Sequence, residues 1–571
     1  MMSESPNREQ NAVGRSANDA LAVRPQETSA GRESAVQFRK EGAPGQTCAT
    51  GFSQRVNSDK GSVLKRDSDP RSRPELKDVN AGAGDAIGSS FSVNVNNDGP
   101  FIAKIESLFR SQRYADVVML CEGRHDLGGK VAARKRSSEA YLKIFEEYEK
   151  YCQNLSPRRF SSLSSKKSVY FLHSSLPYLS GGYATRAHGL ILALREQGLD
   201  VRPYTRPNFP YDVKKGLSEK SDITTVDRVV YRKTFCKSVR LRDEASYMLE
   251  CIDVFDRVIK KEKPAYVHGR STYQIALPAL IAARKNNLPF VYEVSGLWEI
   301  VHESRESAHL RRHETQKMRY LEALTARKAD VVFTLTAAMK EELICRGVEE
   351  SRIALLPNCT DPNRFVPYEK SQQVLDELKI SAAVPVVGYV GSFQDYEGLD
   401  DLISACELLS SKNNSLDYRL LLVGDGPYFN EIRERRNQSK VKEKIILLGR
   451  VDNALVPAYY SVIDIATFPR KAWPVCEMVS PMKPLEALAA KKAVVVSSVK
   501  ALAEMVIENK TGLVFQKGSV DDLSSCIMSL LCDERQRTYL GINAREWVKA
   551  NRDWQSIASN FMSRLSLPTN R

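Results

Sequence analysis

At 571 residues, with 42% hydrophobic and 27% charged residues, the chain has the length of about three to four domains and the balance of a soluble globular protein. No apolar run approaches the roughly 18 residues of a membrane-crossing helix, the N-terminal MMSESPNREQ lacks the apolar core of a secretory signal, and eleven scattered cysteines form neither a CxxC pair nor a Cys/His cluster. The net charge of +14 asks for an anionic partner, whether nucleic acid, a phosphorylated small molecule or an anionic membrane.

Residues 1–100 are dominated by Ser, Asn, Gly, Gln, Arg and Asp, with no sustained apolar period, and are expected to form a disordered arm. Their 13 basic and 13 acidic residues cancel, so the positive excess lies further along. In 101–122, Ile102, Ile105, Leu108 and Phe109 share a helical face, and Val117, Val118 and Leu120 resume after Gln112 and Arg113. This predicts a short helical hairpin, followed by a basic linker over Lys130–Arg136 and a helix around Ala140–Tyr151. A second Ser/Arg/Lys-rich linker closes this segment at 167.

From Ser168 the texture becomes alternating strand and helix. SVYFL is a continuously apolar strand, and the turn HSSLPYLSGGY leads to the amphipathic helix RAHGLILALREQG. The strands AYVHG, PFVYEV, DVVFTL and RIALLPN follow, separated by helical stretches. The pattern restarts near Pro385 with VVGYVGS, YRLLLVGDG, IILLGRV, VIDIATF and AVVVSS. Strands separated by helices imply parallel sheets covered on both faces. The fold class expected is therefore α/β, with two Rossmann-like doubly wound domains over 168–375 and 384–549 facing a cleft. A last helix lies within 550–571.

Ligands of open parallel sheets bind beyond the C-terminal ends of strands, so the loops there carry the candidate chemistry. Gly181 and Gly182 precede the first helix of the first domain, where paired glycines let a phosphate approach the backbone; an ordinary glycine turn is the bland reading. In Ser480–Glu486, Pro484 fits the start of a helix and places Lys483 at its mouth as a point charge for phosphate. Glu486 in the first turn either complements the helix dipole or accepts hydrogen bonds from ribose hydroxyls. Arg470 and Lys471 directly follow VIDIATF and suit a pyrophosphate, or form a solvated pair. Gly424-Asp425-Gly426-Pro427 reads as a tight turn. His173 and His268 end strands, and with His188 are expected to be structural.

With these residues in place, the body 168–567 resembles the glycosyltransferase family 4 group of GT-B sugar-nucleotide transferases. The resemblance rests on SGGYATRAHGLILALREQG, LLPNCTDPNRF, VGSFQDYEGLDDLI, LLLVGDGP, ILLGRV, SPMKPLEALAAKKAVVVSS and ENKTGLVF, in that order. YEGLD and SPMKPLEALA look most like the transferases of bacterial exopolysaccharide systems. The resemblance implies a nucleotide diphosphate sugar donor held mainly by the second domain, retention of configuration, and no essential metal or other cofactor. It places the base near Gly449, Arg450 and Val451, the ribose on Glu486, and the phosphates near Arg470 or Lys471 and Lys483, with Gly181 and Gly182 facing them. Three departures stand out. The family's paired glutamates have Met478 where the first would fall, with Glu477 one residue further off. The loop Gly391–Gly398 carries no base where many members have Arg and Lys, which shifts phosphate neutralisation to Arg470, Lys471 and Lys483. Ser295 stands where a histidine often ends the strand VYEV.

The resemblance implies a hexosyltransferase working in the cytoplasm on a glycan or lipid-linked acceptor in surface polysaccharide biosynthesis, with Glu477, Lys483 and Arg470 as the catalytic candidates. Two rival readings remain at this level: a catalytically degenerate GT-B scaffold, and a sugar-nucleotide epimerase or hydrolase. No nucleic-acid recognition module is evident. The basic stretch Arg202–Arg242, interleaved with Tyr204, Phe209, Tyr211, Tyr231 and Phe235, reads either as a peripheral, salt-reversible contact with an anionic membrane face or as a solvated surface.

Overall fold

A computed structural model describes residues 99–566 apart from 112, 125–126, 159, 161–165, 215–220, 239, 241–243 and 305–311. The expected arm falls outside the described residues, apart from its last two positions. The remaining chain opens with helices Gly99–Arg110, Tyr114–Leu120 and Gly129–Gln153. Ile105, Phe109, Val117, Cys121 and Val131 form their small core, as the helical period of the sequence requires. The predicted basic linker is not a linker: Lys130–Arg136 is the first part of the long third helix. Lys and Arg are good helix formers, and Arg134 donates a 2.8 Å hydrogen bond to Glu106 on the first helix.

The first sheet contains β1 (Lys167–Leu172), β2 (Asp200–Thr205), β3 (Ile223–Val226), β4 (Val229–Arg232), β5 (Tyr266–Arg270), β6 (Phe290–Val294), β7 (Val331–Thr334) and β8 (Ile353–Leu355). Its order is β3-β4-β2-β1-β5-β6-β7-β8, parallel throughout except for the β3/β4 hairpin. The second sheet contains β9 (Val386–Val390), β10 (Arg419–Val423), β11 (Ile445–Gly449), β12 (Ile465–Phe468), β13 (Ala493–Ser497) and β14 (Leu513–Phe515), in the order β11-β10-β9-β12-β13-β14. Central strands such as β5, β6, β9 and β13 are buried along their whole length. Helices on both faces exclude water from them, which is why these stretches read as unbroken apolar runs and not as alternating ones.

Strand order reverses between β1 and β5 in the first sheet and between β9 and β12 in the second. At such a switch point the loops leave in opposite directions and open a crevice for a ligand. The final helix, Trp554–Arg564, leaves the second domain and packs on helix Gly182–Glu196 of the first. There Phe561 stacks on Phe333 at 4.8 Å, and Ile557 and Met562 join the same apolar cluster.

The basic stretch differs from its expectation. Tyr204, Phe209 and Tyr231 are core residues, Arg206 is fully buried, and Lys233 is buried against the hydroxyls of Tyr178 and Tyr211 at 3.3 Å each. Lys215, Lys220 and Arg242 lie outside the described residues. The exposed remainder includes Lys214, Lys237 and Phe235.

Candidate active site at the second switch point

β9 delivers the loop Gly391–Gly398, and β12 delivers Pro469, Arg470 and Lys471 to the same crevice. The loop is held in place by Gly391 N–H, which donates to Val423 O at 2.9 Å, and by Phe393 N–H, which donates to Asp425 O at 3.0 Å. A Cβ on Gly391 would overlap the Lys483 side chain, so any larger residue there displaces Lys483 from its contacts. Gly398, at φ +73°, turns the chain into helix Leu399–Lys412, and a Cβ would run into the Pro469 carbonyl.

Glu397, the residue before that turn, is the buried hub of the site. Its carboxylate accepts from Arg470 Nη2 at 2.9 Å, from Arg470 Nε at 3.2 Å and from Lys483 Nζ at 3.2 Å. Lys483 Nζ also donates to the Tyr389 hydroxyl at 2.6 Å and to Ser392 O at 3.2 Å. Burial opposes ionisation of Glu397, but Arg470 and Lys483 hold its carboxyl down at about 2. Burial also works against the Arg470 guanidinium, and Glu397 more than offsets it. The Lys483 ammonium is pushed below its usual range, first by burial; Glu397 opposes the shift and Arg470 adds to it. Two cations against one carboxylate leave the Glu397–Arg470–Lys483 cluster itself with a net positive charge.

The sequence candidates therefore divide. Arg470 and Lys483 come together, but on a protein carboxylate. Arg470 is only 6% exposed, so it is not half of a solvated surface pair; its third contact is Nη1 to Val479 O at 2.8 Å. Lys471 points away, to Asp400 at 2.6 Å. Glu477, in helix Pro474–Met478, is engaged with Lys517 Nζ at 2.5 Å and Lys500 N–H at 2.8 Å, apart from the Arg470–Lys483 group. Lys483 begins helix Lys483–Ala489 and Pro484 takes the second position. Glu486 lies one turn along, half-buried, and among the described residues nothing donates a hydrogen bond to it. Burial pushes its carboxyl up to about 7, with Arg364 and Lys483 offsetting only part of the effect. Gly449 ends β11, where its carbonyl accepts from Gly424 N–H at 2.8 Å; Arg450 beyond it is exposed and Val451 half-buried.

The first domain supplies the facing wall. Gly181 and Gly182 are exposed at the start of helix Gly182–Glu196, and a Cβ on Gly182 would lie 3.9 Å from the Met482 sulfur, next to Lys483. The walls are tied together by Asn358 Nδ2 donating to Ser480 O at 2.7 Å and Thr336 Oγ1 donating to Met478 O at 2.6 Å. Of the strand-end histidines, His268 is buried and His173 half-buried, and both are held neutral. Burial lowers His173 well below its usual value and takes His268, stacked on Tyr170 at 3.8 Å, down to about 3.

Glu397 was not among the residues singled out from sequence. The loop Gly391–Gly398 has no base of its own, and the signal its sequence carries is the acid itself, one residue before the glycine that turns the chain into a helix.

Two parallel α/β sheets, each with its switch point turned to a shared crevice, define the GT-B class. Residues 181–359 match the family of glycosyl transferase 4-like domains, and residues 372–547 match glycosyl transferases group 1. The chain belongs to the family 4-like GT-B glycosyltransferases. It is 27% identical over 235 residues to a GDP-mannose-dependent α-(1-6)-phosphatidylinositol monomannoside mannosyltransferase of Mycobacterium tuberculosis, a match covering 41% of this chain and 60% of that one. Among solved structures, sucrose-phosphate synthase from Thermosynechococcus elongatus superposes with a TM-score of 0.56 at 20% identity, over 70% of this chain and 97% of that one. Anabaena HepE in complex with UDP gives 0.54 at 15% identity, over 70% and 99%.

Proposed function

We propose that this protein transfers a sugar from a nucleoside diphosphate sugar to a glycan or lipid-linked acceptor in surface polysaccharide assembly, with retention of configuration and without an essential metal. The observation that carries the reading is Glu486: a half-buried carboxyl with no protein donor, raised to about 7, at a switch-point crevice that also holds Lys483. Where the crevice is open, water meets this half-buried carboxyl, and ribose hydroxyls can take the place of that water as donors. The mycobacterial relative, whose name gives GDP-mannose and phosphatidylinositol monomannoside, supports both the donor class and a lipid-linked acceptor.

In this reading the exposed N–H groups at Gly181 and Gly182 and the Lys483 ammonium meet the charge that develops on the departing diphosphate. Arg470 acts through Glu397, which fixes the Lys483 side chain against the Tyr389 hydroxyl. Lys471 and Glu477 stand further back, holding the helix starts at Leu399 and Lys500. Gly449, Arg450 and Val451 border the base. Closure of the two domains excludes water and favours transfer over hydrolysis.

The test is release of nucleoside diphosphate from a panel of UDP-, GDP- and ADP-sugars by the purified protein, with and without EDTA. At least one donor is expected to be hydrolysed slowly, unaffected by EDTA, and Glu486→Gln is expected to lose that turnover while keeping its melting temperature. A wild-type protein that neither binds nor cleaves any donor is a scaffold, and the reading fails.

A further inference from the structure

The strands at the first switch point, β1 and β5, and the next strand, β6, carry a buried charged cluster at the start of helix Gly182–Glu196. Glu293 on β6 is its centre and is fully buried. Its carboxylate accepts from Arg186 Nε at 2.8 Å, from the Tyr170 hydroxyl on β1 and from Ser295 Oγ at 3.3 Å. Arg270, at the end of β5, stands 3.7 Å from the same carboxylate and donates to Ser295 Oγ at 2.7 Å. Both arginine side chains are fully buried. His268 comes within 3.6 Å of the carboxylate but, held down at about 3 by burial, adds no charge near neutrality. Burial opposes ionisation of Glu293, and Arg270 and Arg186 hold its carboxyl well below the usual range. Two cations again face one carboxylate, as Arg470 and Lys483 face Glu397 on the other wall of the crevice.

Both arginines reach past Glu293 to the backbone that shapes the crevice. Arg270 Nη1 donates to Tyr183 O at 2.8 Å, and its guanidinium lies over the Tyr183 ring, 4.2 Å from the centroid. The hydroxyl of the same tyrosine accepts from His173 N–H at 2.9 Å. Tyr183 directly follows Gly182, so a carbonyl, a ring and a hydroxyl are all fixed at the helix start. Arg186, one turn along, donates to Leu356 O and Pro357 O at 2.7 Å each and to Asn358 Oδ1 at 3.2 Å. Asn358 in turn donates to Ser480 O at 2.7 Å, in the loop that leads into Lys483. An unbroken series of hydrogen bonds thus runs from the residue after the glycine pair, through Arg270, Ser295, Glu293, Arg186 and Asn358, to the loop that carries Lys483.

Stability alone does not account for this arrangement. Cations are unfavourable beside a helix N-terminus, and the start of this helix has no side-chain cap to offset them. Burying a second guanidinium against a single carboxylate leaves one charge without a counter-charge inside the cluster, because the backbone carbonyls that Arg186 and Arg270 also meet carry only partial charges. An anion at the exposed Gly181 and Gly182 N–H groups supplies the missing counter-charge from outside.

We propose that Arg186 and Arg270 are positioning residues for the diphosphate: through Tyr183 and Asn358 they hold the Gly181–Gly182 helix start at a set spacing from Lys483, so that the distal phosphate meets both walls at once. The identity of that anion rests on the transfer reading above; the fixing of the helix start does not. Hydrogen exchange on the ligand-free full chain, and calorimetry with UDP, GDP and ADP, each set against its monophosphate, test it. The monophosphate keeps the base, the ribose and the proximal phosphate but lacks the distal one, so a merely structural defect weakens both nucleotides alike. In Arg270→Gln and in Arg186→Gln, exchange is expected to quicken in the peptide covering 180–187. Diphosphate affinity is expected to fall about fivefold or more, with monophosphate affinity unchanged and the cooperative melt kept. Arg270→Lys retains a cation opposite Glu293 but lacks the fork that reaches Ser295 and Tyr183 together; it is expected to show the same selective loss, and it keeps the test open if the Gln variants fail to fold. Unchanged exchange in Arg270→Lys, or equal losses for diphosphate and monophosphate, overturns the proposal. A wild type that binds no nucleoside diphosphate removes the transfer reading and the phosphate role together, even where exchange quickens in the variants. A wild type that binds one, with variants that bind it as tightly, removes the positioning role and keeps the transfer reading.

Discussion

Glu397 holds two cations that would otherwise repel one another across a buried crevice. Its carboxylate is 2% exposed and makes three charge-assisted contacts. Replacing it by Gln keeps the shape but leaves Arg470 and Lys483 uncompensated, and breaking a buried pair in this way costs about 3–5 kcal/mol. Glu397→Gln is therefore expected to lower the denaturant midpoint markedly, with an unchanged slope, in urea unfolding; a midpoint equal to wild type means that Arg470 and Lys483 find other partners. Glu486 behaves in the opposite sense. Its carboxyl titrates near 7 because burial penalises the charge, and ribose hydroxyls donating to it favour the ionised form. Donor or nucleoside diphosphate binding then releases a proton near neutrality, so affinity rises with pH up to about 7 and levels off above it. Calorimetry between pH 5.5 and 8.5 is expected to give a steeper fall on the acid side for wild type than for Glu486→Gln, which retains only the titration of the nucleotide's own phosphate. Superimposable profiles place the ribose elsewhere. A raised acid also means that the folded state loses stability as pH rises from the ordinary carboxyl range towards 7. The Gln variant is therefore expected to melt no lower than wild type at pH 8.

At the scale of elements, the C-terminal helix Trp554–Arg564 joins two domains that the chain otherwise lays down in succession. Phe561 is fully buried between Phe333 and His268, and Trp554 packs where a Cβ on Gly189 would overlap its ring. Phe561→Ala removes a buried aromatic and is expected to cost about 3–5 kcal/mol. Calorimetry should then show a lower melting temperature; an unchanged one means that the helix contributes little to holding the domains. The sequence foretold the strands well, because a central parallel strand is apolar throughout, and SVYFL, VVGYV and AVVVS are short, rich in β-branched and aromatic residues, and separated by helical stretches. Lys483 at a helix start was equally legible from Pro484. What stayed hidden depends on contacts far apart in sequence. Glu397 meets Arg470 and Lys483 only through the β9–β12 neighbourhood. The aromatics of the basic stretch alternate with polar residues and so read as a surface, yet Tyr204 and Tyr231 turn inward from β2 and β4. The run Lys130–Arg136 looked like a linker because charge dominates it, but Val131 packs under the first helix and its neighbours continue the turn.

For the whole molecule, the question is where a net charge of +14 acts. Among the described residues no helix is long and apolar enough to cross a membrane. In the proposed reading, contact with a lipid-linked acceptor runs through the surface of the first domain. Burial of Arg206 and Lys233 removes two cations from the stretch that suggested such a contact, while Leu179, Val213, Ile223 and Phe235 remain between 37% and 52% exposed near Lys214 and Lys237. That composition changes the expected character of binding. Each cation close to an anionic leaflet contributes about 1 kcal/mol, and salt screens it over about 8 Å at physiological ionic strength. The exposed apolar side chains add a part that salt does not weaken. Co-sedimentation with vesicles containing phosphatidylglycerol is therefore expected to show binding that falls, but does not vanish, between low and high salt, and weaker binding to purely zwitterionic vesicles. Replacing Leu179 and Phe235 by Ser is expected to remove the salt-resistant part while leaving the salt-sensitive part in place. Equal binding to both vesicle types rules out the electrostatic contribution, and no binding to either leaves the first-domain surface solvated and the acceptor soluble.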